Sequence, residues 1–394
     1  MDMRVPGVLM RGGTSKGLVL HAGALPAGAR ECEAMILAMF GSPDRRQVDG
    51  LGGADPLSSK LAIVSPSERA EADVDYLFGQ VGIEQPTVDY TVTCGNLAAA
   101  VAQFAVDEGL VPAREPCATV RIFNRNTGKL ILAEVPVRDG RACTAGDCVI
   151  DGVPGRGAAI RLTFFEPAGG VTGRLLPTGQ AMDTLPGAFG PMRLSVVDAG
   201  NLYAFVPAAY FGLRGDETPA ELEACAGLLA QADAIRRRVA ALLVHLGAVR
   251  PGLGAQLAFS CKLALLGDAR ASEPEISARI LNPGRVHKAF AVTGAIALAC
   301  AARVPGSVAH LPRLAVEAPG TLRIAHPAGV MEVAVSATGA GPIPHIQGVS
   351  VLRTARRLME GHILVREDAL QPAPAAYGAR PGAGVSLPGQ GVWS

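Results

Sequence analysis

Short apolar or alternating runs, broken by Gly, Pro, Asn and Asp, recur along the chain and read as strands. Arg4–Met10, Gly17–Leu20, Leu61–Ser65, Asp73–Gln80, Val88–Thr93, Thr119–Phe123 and Leu130–Val137 are each β-branched or alternating and bounded by turn residues. Two runs break that pattern: NLAAAVAQFAVDEGLV from Asn96 and GAIALACAARV after Thr293. Both are rich in Ala and Leu, which favours helix. Helices apolar on every side belong in a protein interior. Amphipathic spacing predicts further helices over Arg30–Phe40 and Pro219–Leu246. The closing stretch, PAPAAYGARPGAGVSLPGQGVWS, has no period and predicts a disordered tail over 367–394.

The same elements occur twice. SSKLAIVSPS from Ser58 is echoed by SCKLALLGDA from Ser260, and TVTCGNLAAAVAQFA by FAVTGAIALACAA. Cys94 follows Lys60 by 34 positions, and Thr293 follows Lys262 by 31. Two similar pieces in one order at nearly one spacing predict an internal duplication. Duplicated units pack about a pseudo-twofold axis, which sets Cys94 and Thr293 opposite each other across a cleft, each at a helix N-terminus. Unpaired N–H groups and partial positive charge at such termini suit carboxylates. The pattern therefore predicts a two-ended clamp for a dicarboxylate.

Composition narrows the class. A chain of 394 residues with 49% hydrophobic content can bury more than one core. The expected division is 1–185 and 186–366, with the last strand of the second unit returning to the first. A net charge of +1 and 18% charged residues argue against a nucleic-acid surface or a polybasic membrane patch. The most apolar uncharged stretch, Ala289–Ala302, is shorter than the roughly 18 residues a membrane span needs. The opening MDMRVPGVLMRGG reaches an Arg and a Gly pair too early for a signal peptide. The eight cysteines form no CxxC pair and no zinc spacing, so reduced thiols in a cytoplasmic protein and no metal are expected. Oligomeric state is not legible, and a homo-oligomer is compatible with everything above.

Long segments carry a family resemblance. MRGGTSKG (10–17), DGLGGADPLSSKLAIV (49–64), EADVDYLFGQV (71–81), VDYTVTCGN (88–96), IDGVPGR (150–156), LLPTG (175–179) and LRTARRLMEG (352–361) resemble the PrpF family over about residues 4–366. That family includes 2-methylaconitate cis-trans isomerase, 3-methylitaconate Δ-isomerase and 4-oxalomesaconate tautomerase. The resemblance implies an α+β fold of two pseudo-symmetric diaminopimelate-epimerase-like domains. Each is a mixed sheet or barrel around a central helix, and the active site lies in the cleft between them. It also implies a small di- or tricarboxylate substrate and no cofactor.

The candidate site follows from motif and resemblance together. Lys60 comes after the turn-rich GGADPLSS and before an apolar strand, which aims it at a loop-built cleft. The resemblance implies that it is the catalytic base. A free lysine titrates near about 10.4, so such a base needs burial or neighbouring cations to become neutral. Cys94, at a helix start, either relays a proton or positions substrate. The second half has Thr293 at that position, too weak an acid for a two-thiol racemase. RGGTSKG lacks the phosphate-loop order. Its Arg11, Thr14, Ser15 and Lys16 are expected to offer donors to a carboxylate, with a structural turn as the alternative. Ser59, Gly95, Asn96, Thr178, Gly179, Ser260, His287, Lys288 and Gly294 complete the expected substrate contacts. Arg353, Arg356 and Arg357 include at least one solvated charge.

These residues together suggest a 1,3-allylic proton transfer that moves a double bond. The alternatives are a carboxylate-metabolite binder that has kept the clamp, or an epimerase of the same fold.

Overall fold

The computed structural model describes residues 2–249, 254–269, 274–312, 314, 320–339, 341 and 343–370. The first repeat opens with β1 (Asp2–Gly12), β2 (Ser15–His21), α1 (Ala29–Phe40), β3 (Lys60–Pro66), β4 (Val74–Val81) and β5 (Val88–Asp89). It continues through α2 (Gly95–Asp107), β6 (Cys117–Asn124), β7 (Lys129–Arg138), β8 (Arg141–Ala142) and β9 (Ile160–Phe165). The second repeat runs through β10 (Asp183–Leu185), β11 (Met192–Ala199), β12 (Asn201–Pro207), α3 (Pro219–Ala224), α4 (Leu228–His245) and α5 (Gly254–Ser260). There follow β13 (Lys262–Gly267), β14 (Ile276–Asn282), β15 (Arg285–Val286), α6 (Val292–Ala302), β16 (Gly320–His326), β17 (Gly329–Thr338), β18 (His345–Arg353) and β19 (Ala355–Arg366).

The duplication is written in the strand pairing. In the first repeat β1–β2 is antiparallel, β2–β3 parallel, β3–β4 antiparallel, β4–β6 parallel and β6–β7 antiparallel. The second repeats that sequence with β11–β12, β12–β13, β13–β14, β14–β16 and β16–β17. The two sheets join where β9 pairs with β18. The last strand, β19, pairs along its length with β1, so the chain's end lies in the first repeat's sheet.

Each repeat wraps its strands around one apolar helix. Every residue of α6 is buried, as is α2 from Gly95 to Val106. That is why neither has a polar face. Each fully buried Leu or Ile on these helices contributes about 1.5–3 kcal/mol. The two helices share one continuous core, so the repeats meet through packed apolar side chains. A second cluster covers the outer side of β11–β13 with α4, and a third packs α1 against β2 and β3.

Three expectations need correcting. The Pro219–Leu246 helix is two helices. A Thr218–Glu221 capping box starts α3, and Gly227, at φ 75°, takes the left-handed backbone from which α4 begins. The strand over Val88–Thr93 stops at Asp89, because the Asp89 carboxylate accepts the backbone and hydroxyl hydrogens of Thr91 and turns the chain. Of the segment read as a tail, Glu367–Leu370 forms a 3₁₀ turn, while 371–394 lies outside the described residues.

Candidate active site

A cavity of about 740 Å³ lies where the two central helices begin, with walls from both repeats. Lys60 enters it because β3 starts there. The residue is only 8% exposed, and its Nζ donates to Gln80 Oε1 at 2.9 Å and lies 5.1 Å from the centre of the Phe78 ring. Gln80 faces Lys60 across the β3–β4 pair, and its amide nitrogen is held by the carbonyls of Ser59 and Pro56. That grip fixes the amide oxygen toward the amine.

The corresponding strand of the second repeat places Lys262 on the same cavity. The residue is partly buried there. Burial, helped by the nearby charge of Lys60 and opposed by Asp89, brings its pKa down to about 8. The residue was visible in the SSK/SCK echo. Yet the sequence alone pointed to Ser260, because nothing local says which side chain of a strand end faces a cleft.

Cys94 is the N-cap of α2 and lines the cavity, 8% exposed, with Sγ 3.8 Å from Ser15 Oγ. Gly95 and Asn96 form the first turn of α2 beside it. Opposite, α6 begins two residues before Gly294, so Thr293 lies inside its first turn rather than at the cap. Thr293 Oγ1 meets Tyr203 Oη at 3.2 Å and accepts from Asn201 Nδ2 at 3.1 Å. Asn201 also accepts from the Thr93 N–H at 2.8 Å and donates to the Thr93 carbonyl. One buried amide from β12 thus ties both helix starts together. Tyr76, fully buried, donates its hydroxyl to the Cys94 carbonyl. His287 faces the cavity as a neutral ring, because burial lowers its pKa to about 4. Its Nδ1 accepts from the Ala289 N–H, which leaves the ring proton on Nε2 as a donor.

Ser15, Lys60, Cys94, Gly95, Asn96, His287 and Thr293 therefore converge on one cavity, and Lys262, Gln80, Asp89, Asn201 and Tyr203 join them. Other expected contacts lie elsewhere. Arg11 spends its guanidinium on the Gly13 and Thr354 carbonyls, tying the β1–β2 turn to the β18–β19 turn. Thr14 accepts from Asn96 behind the wall, and Lys16 pairs with Arg11 in the β1–β2 hairpin. Ser59 is buried between Gln47 and the Val81 carbonyl. Ser260 closes α5 by bonding the Gln256 carbonyl. Lys288 is mostly exposed and pairs with Asp55 at 2.8 Å. Thr178 donates to Asp183 in a loop turned by Gly179. A Cβ on Gly294 would stand 3.1 Å from Tyr203 Oη, so that glycine serves close packing. Among the described residues, no group of three or more His, Cys, Asp or Glu is placed to hold a metal, and no helix is long and apolar enough to cross a membrane.

Gly13 supports the wall indirectly. Its φ is +48°, and an added Cβ would lie 2.2 Å from Asn96 Oδ1. Gly128, at φ +67°, has open space around it. Gly13→Ala is therefore expected to cost about 1–3 kcal/mol beyond the cost of Gly128→Ala, measured by urea unfolding of both variants. Equal losses would mean that Asn96 yields freely.

The fold and walls described above have close relatives. The protein is 41% identical to the 3-methylitaconate isomerase of Eubacterium barkeri, over 94% of this chain and 99% of that protein. It is 40% identical to the 4-oxalomesaconate tautomerase of Pseudomonas putida, over 93% and 97%. The crystal structure of a methylitaconate-delta-isomerase superposes with a TM-score of 0.71 at 38% identity, covering 97% of this chain and all of that one. A hydroxyproline epimerase from Agrobacterium vitis shares the fold at 14% identity, with a TM-score of 0.58 over 95% and 98% of the two chains. The fold is thus α+β, of the two-domain epimerase-like kind. The PrpF protein family model matches residues 2–366, and this chain belongs to that family.

Proposed function

We propose that the protein is an isomerase that moves a double bond in a small unsaturated di- or tricarboxylate by a 1,3-allylic proton transfer. The observation that carries the reading is the pair of lysines, one from each repeat, enclosed with two helix N-termini in one cavity. Similarity to isomerases named for 3-methylitaconate and 4-oxalomesaconate supports the same class.

In this reading the substrate carboxylates lie against the first turns of α2 and α6, whose N–H groups and partial positive charge favour anions. The Lys60 amine takes the allylic proton. The C–H electron pair passes into the alkene and the adjacent carbonyl or carboxylate, giving a dienolate. Lys262, an ammonium below about pH 8, and the Nε2–H of His287 face the developing oxyanion. The ammonium of Lys60 then returns the proton two carbons away on the same face. Cys94, with Ser15 beside it, either positions the acid or acts as a second proton donor. A two-thiol epimerase fits less well, since Ala291, Val292 and Thr293 open α6 and none is a thiol. All eight cysteines are unpaired, which suits a reducing cytoplasm.

The test is incubation of the protein in D₂O with 4-oxalomesaconate, 3-methylitaconate and 2-methylaconitate in turn, followed by proton NMR. Deuterium should enter the allylic position of one acid as its isomer accumulates. Label at a stereocentre without movement of the double bond would favour the epimerase, and tight binding without any exchange would favour a carboxylate binder.

A further inference from the structure

Arg353 ends β18 in the LRTARR segment and is 4% exposed. Its Nε donates to Asn96 Oδ1 at 3.1 Å, one Nη to the Leu352 carbonyl at 2.7 Å and the other to Met331 Sδ. Among the described residues, no carboxylate lies within ion-pair distance of it. A buried guanidinium without a counter-ion is costly to hold, and burial pulls its pKa down to about 10. At neutral pH the charge stays, one hydrogen bond behind the cavity wall.

Asn96 is the link. Its oxygen is occupied by Arg353, so its amide nitrogen points the other way and donates to Thr14 Oγ1 at 3.1 Å. Both ends of the Asn96 side chain are thus held by residues outside the cavity lining, while the residue itself belongs to the first turn of α2, which lines the cavity.

We propose that Arg353 is a positioning residue: by gripping the Asn96 side chain it fixes the first turn of α2, which lines the cavity, so that replacing it weakens carboxylate binding through Asn96 alone. The inference rests on the carboxylate reading of the cavity. It adds a residue that touches no substrate and that comes from the far end of the chain.

The test uses binding, so that it does not depend on turnover. Calorimetry with two saturated acids that cannot isomerise, propane-1,2,3-tricarboxylate and glutarate, is done on the full chain and on the variants Arg353→Met, Arg353→Lys and Asn96→Ala. Arg353→Met should weaken both acids about 5- to 20-fold, with Arg353→Lys between it and the parent. Adding Arg353→Met to Asn96→Ala should change Kd by less than about twofold, because both act through one contact. Should Arg353→Met not fold, Arg353→Lys alone and combined with Asn96→Ala carries the same comparison. Unchanged binding in the Arg353 variants, or losses that add fully to those of Asn96→Ala, overturns the inference and leaves the isomerase reading standing. Binding by the parent without isotope exchange overturns the isomerase reading while the Arg353 comparison still decides this one. Failure of the parent to bind either acid overturns both.

Discussion

Lys60→Met is expected to lower kcat by about 10³-fold or more while leaving the Kd of a saturated polycarboxylate within a few-fold, since a positioned acid/base contributes about 10²–10⁴. Methionine keeps most of the stem and removes the amine that is held by Gln80 and lies over Phe78. Exchanging the buried amine for an apolar group of similar length leaves no buried charge unpaired, so the variant should remain folded and the loss should be chemical. Deuterium incorporation and isomer formation should disappear together, because both report the same C–H cleavage. A variant that still exchanged deuterium within tenfold of the parent rate would remove Lys60 from the proton path, and the base would have to be sought in Lys262 or Cys94.

Lys262→Met is expected to act differently. At pH 7 it should lower kcat by about 10²–10³-fold, the loss typical of one oxyanion donor, and weaken the binding of polycarboxylates as well. Its clearer signature is in pH. Burial holds the Lys262 pKa at about 8, below the ordinary 10.5. Below about 8 the cavity contains this ammonium. Above it the parent protein must take up a proton to recover the cation, and affinity should fall about tenfold per pH unit. Calorimetry from pH 7 to 9.5, repeated in buffers of different ionisation enthalpy, reads both the fall and the proton uptake. In Lys262→Met the affinity should be flat over that range. Stability moves in the opposite sense. Between about 8 and 10.5 the unfolded chain binds a proton that the native chain has released, so raising the pH through this window stabilises the native state. Below about 8 the buried ammonium costs the fold its full penalty. A parent protein whose affinity did not change between pH 7 and 9.5 would show that Lys262 does not face the bound acid.

How far each residue could be read depended on the range of the interaction that places it. Most strands of the first repeat up to Val137, the two central helices and the duplication follow from the sequence itself. Alternation with period two and all-round apolarity are imposed by the backbone and by burial, and both act between near neighbours. Lys60 and Cys94 were legible for the same reason, since each sits at the junction of a turn signal and an apolar element. The resemblance of long motifs carried the rest of that reading.

Tertiary structure alone decided the remainder. Arg11 carries as much charge as Lys60, yet its donors are taken by Gly13 and by Thr354, 343 positions away, and this keeps it out of the cavity. Ser260 and Lys262 are two positions apart, and where α5 gives way to β13 settles which of them lines the cavity. Asn201 had no signal at all in its own segment, because its value lies in bridging Thr93 and Thr293, residues about a hundred positions to either side. Side-chain direction at a strand or helix end depends on register and on what the other repeat presents. A one-residue shift reverses the facing of a strand. The chain alone thus determined the two central helices, most strands of the first repeat and the duplication; which polar groups meet between the two copies was set by their packing.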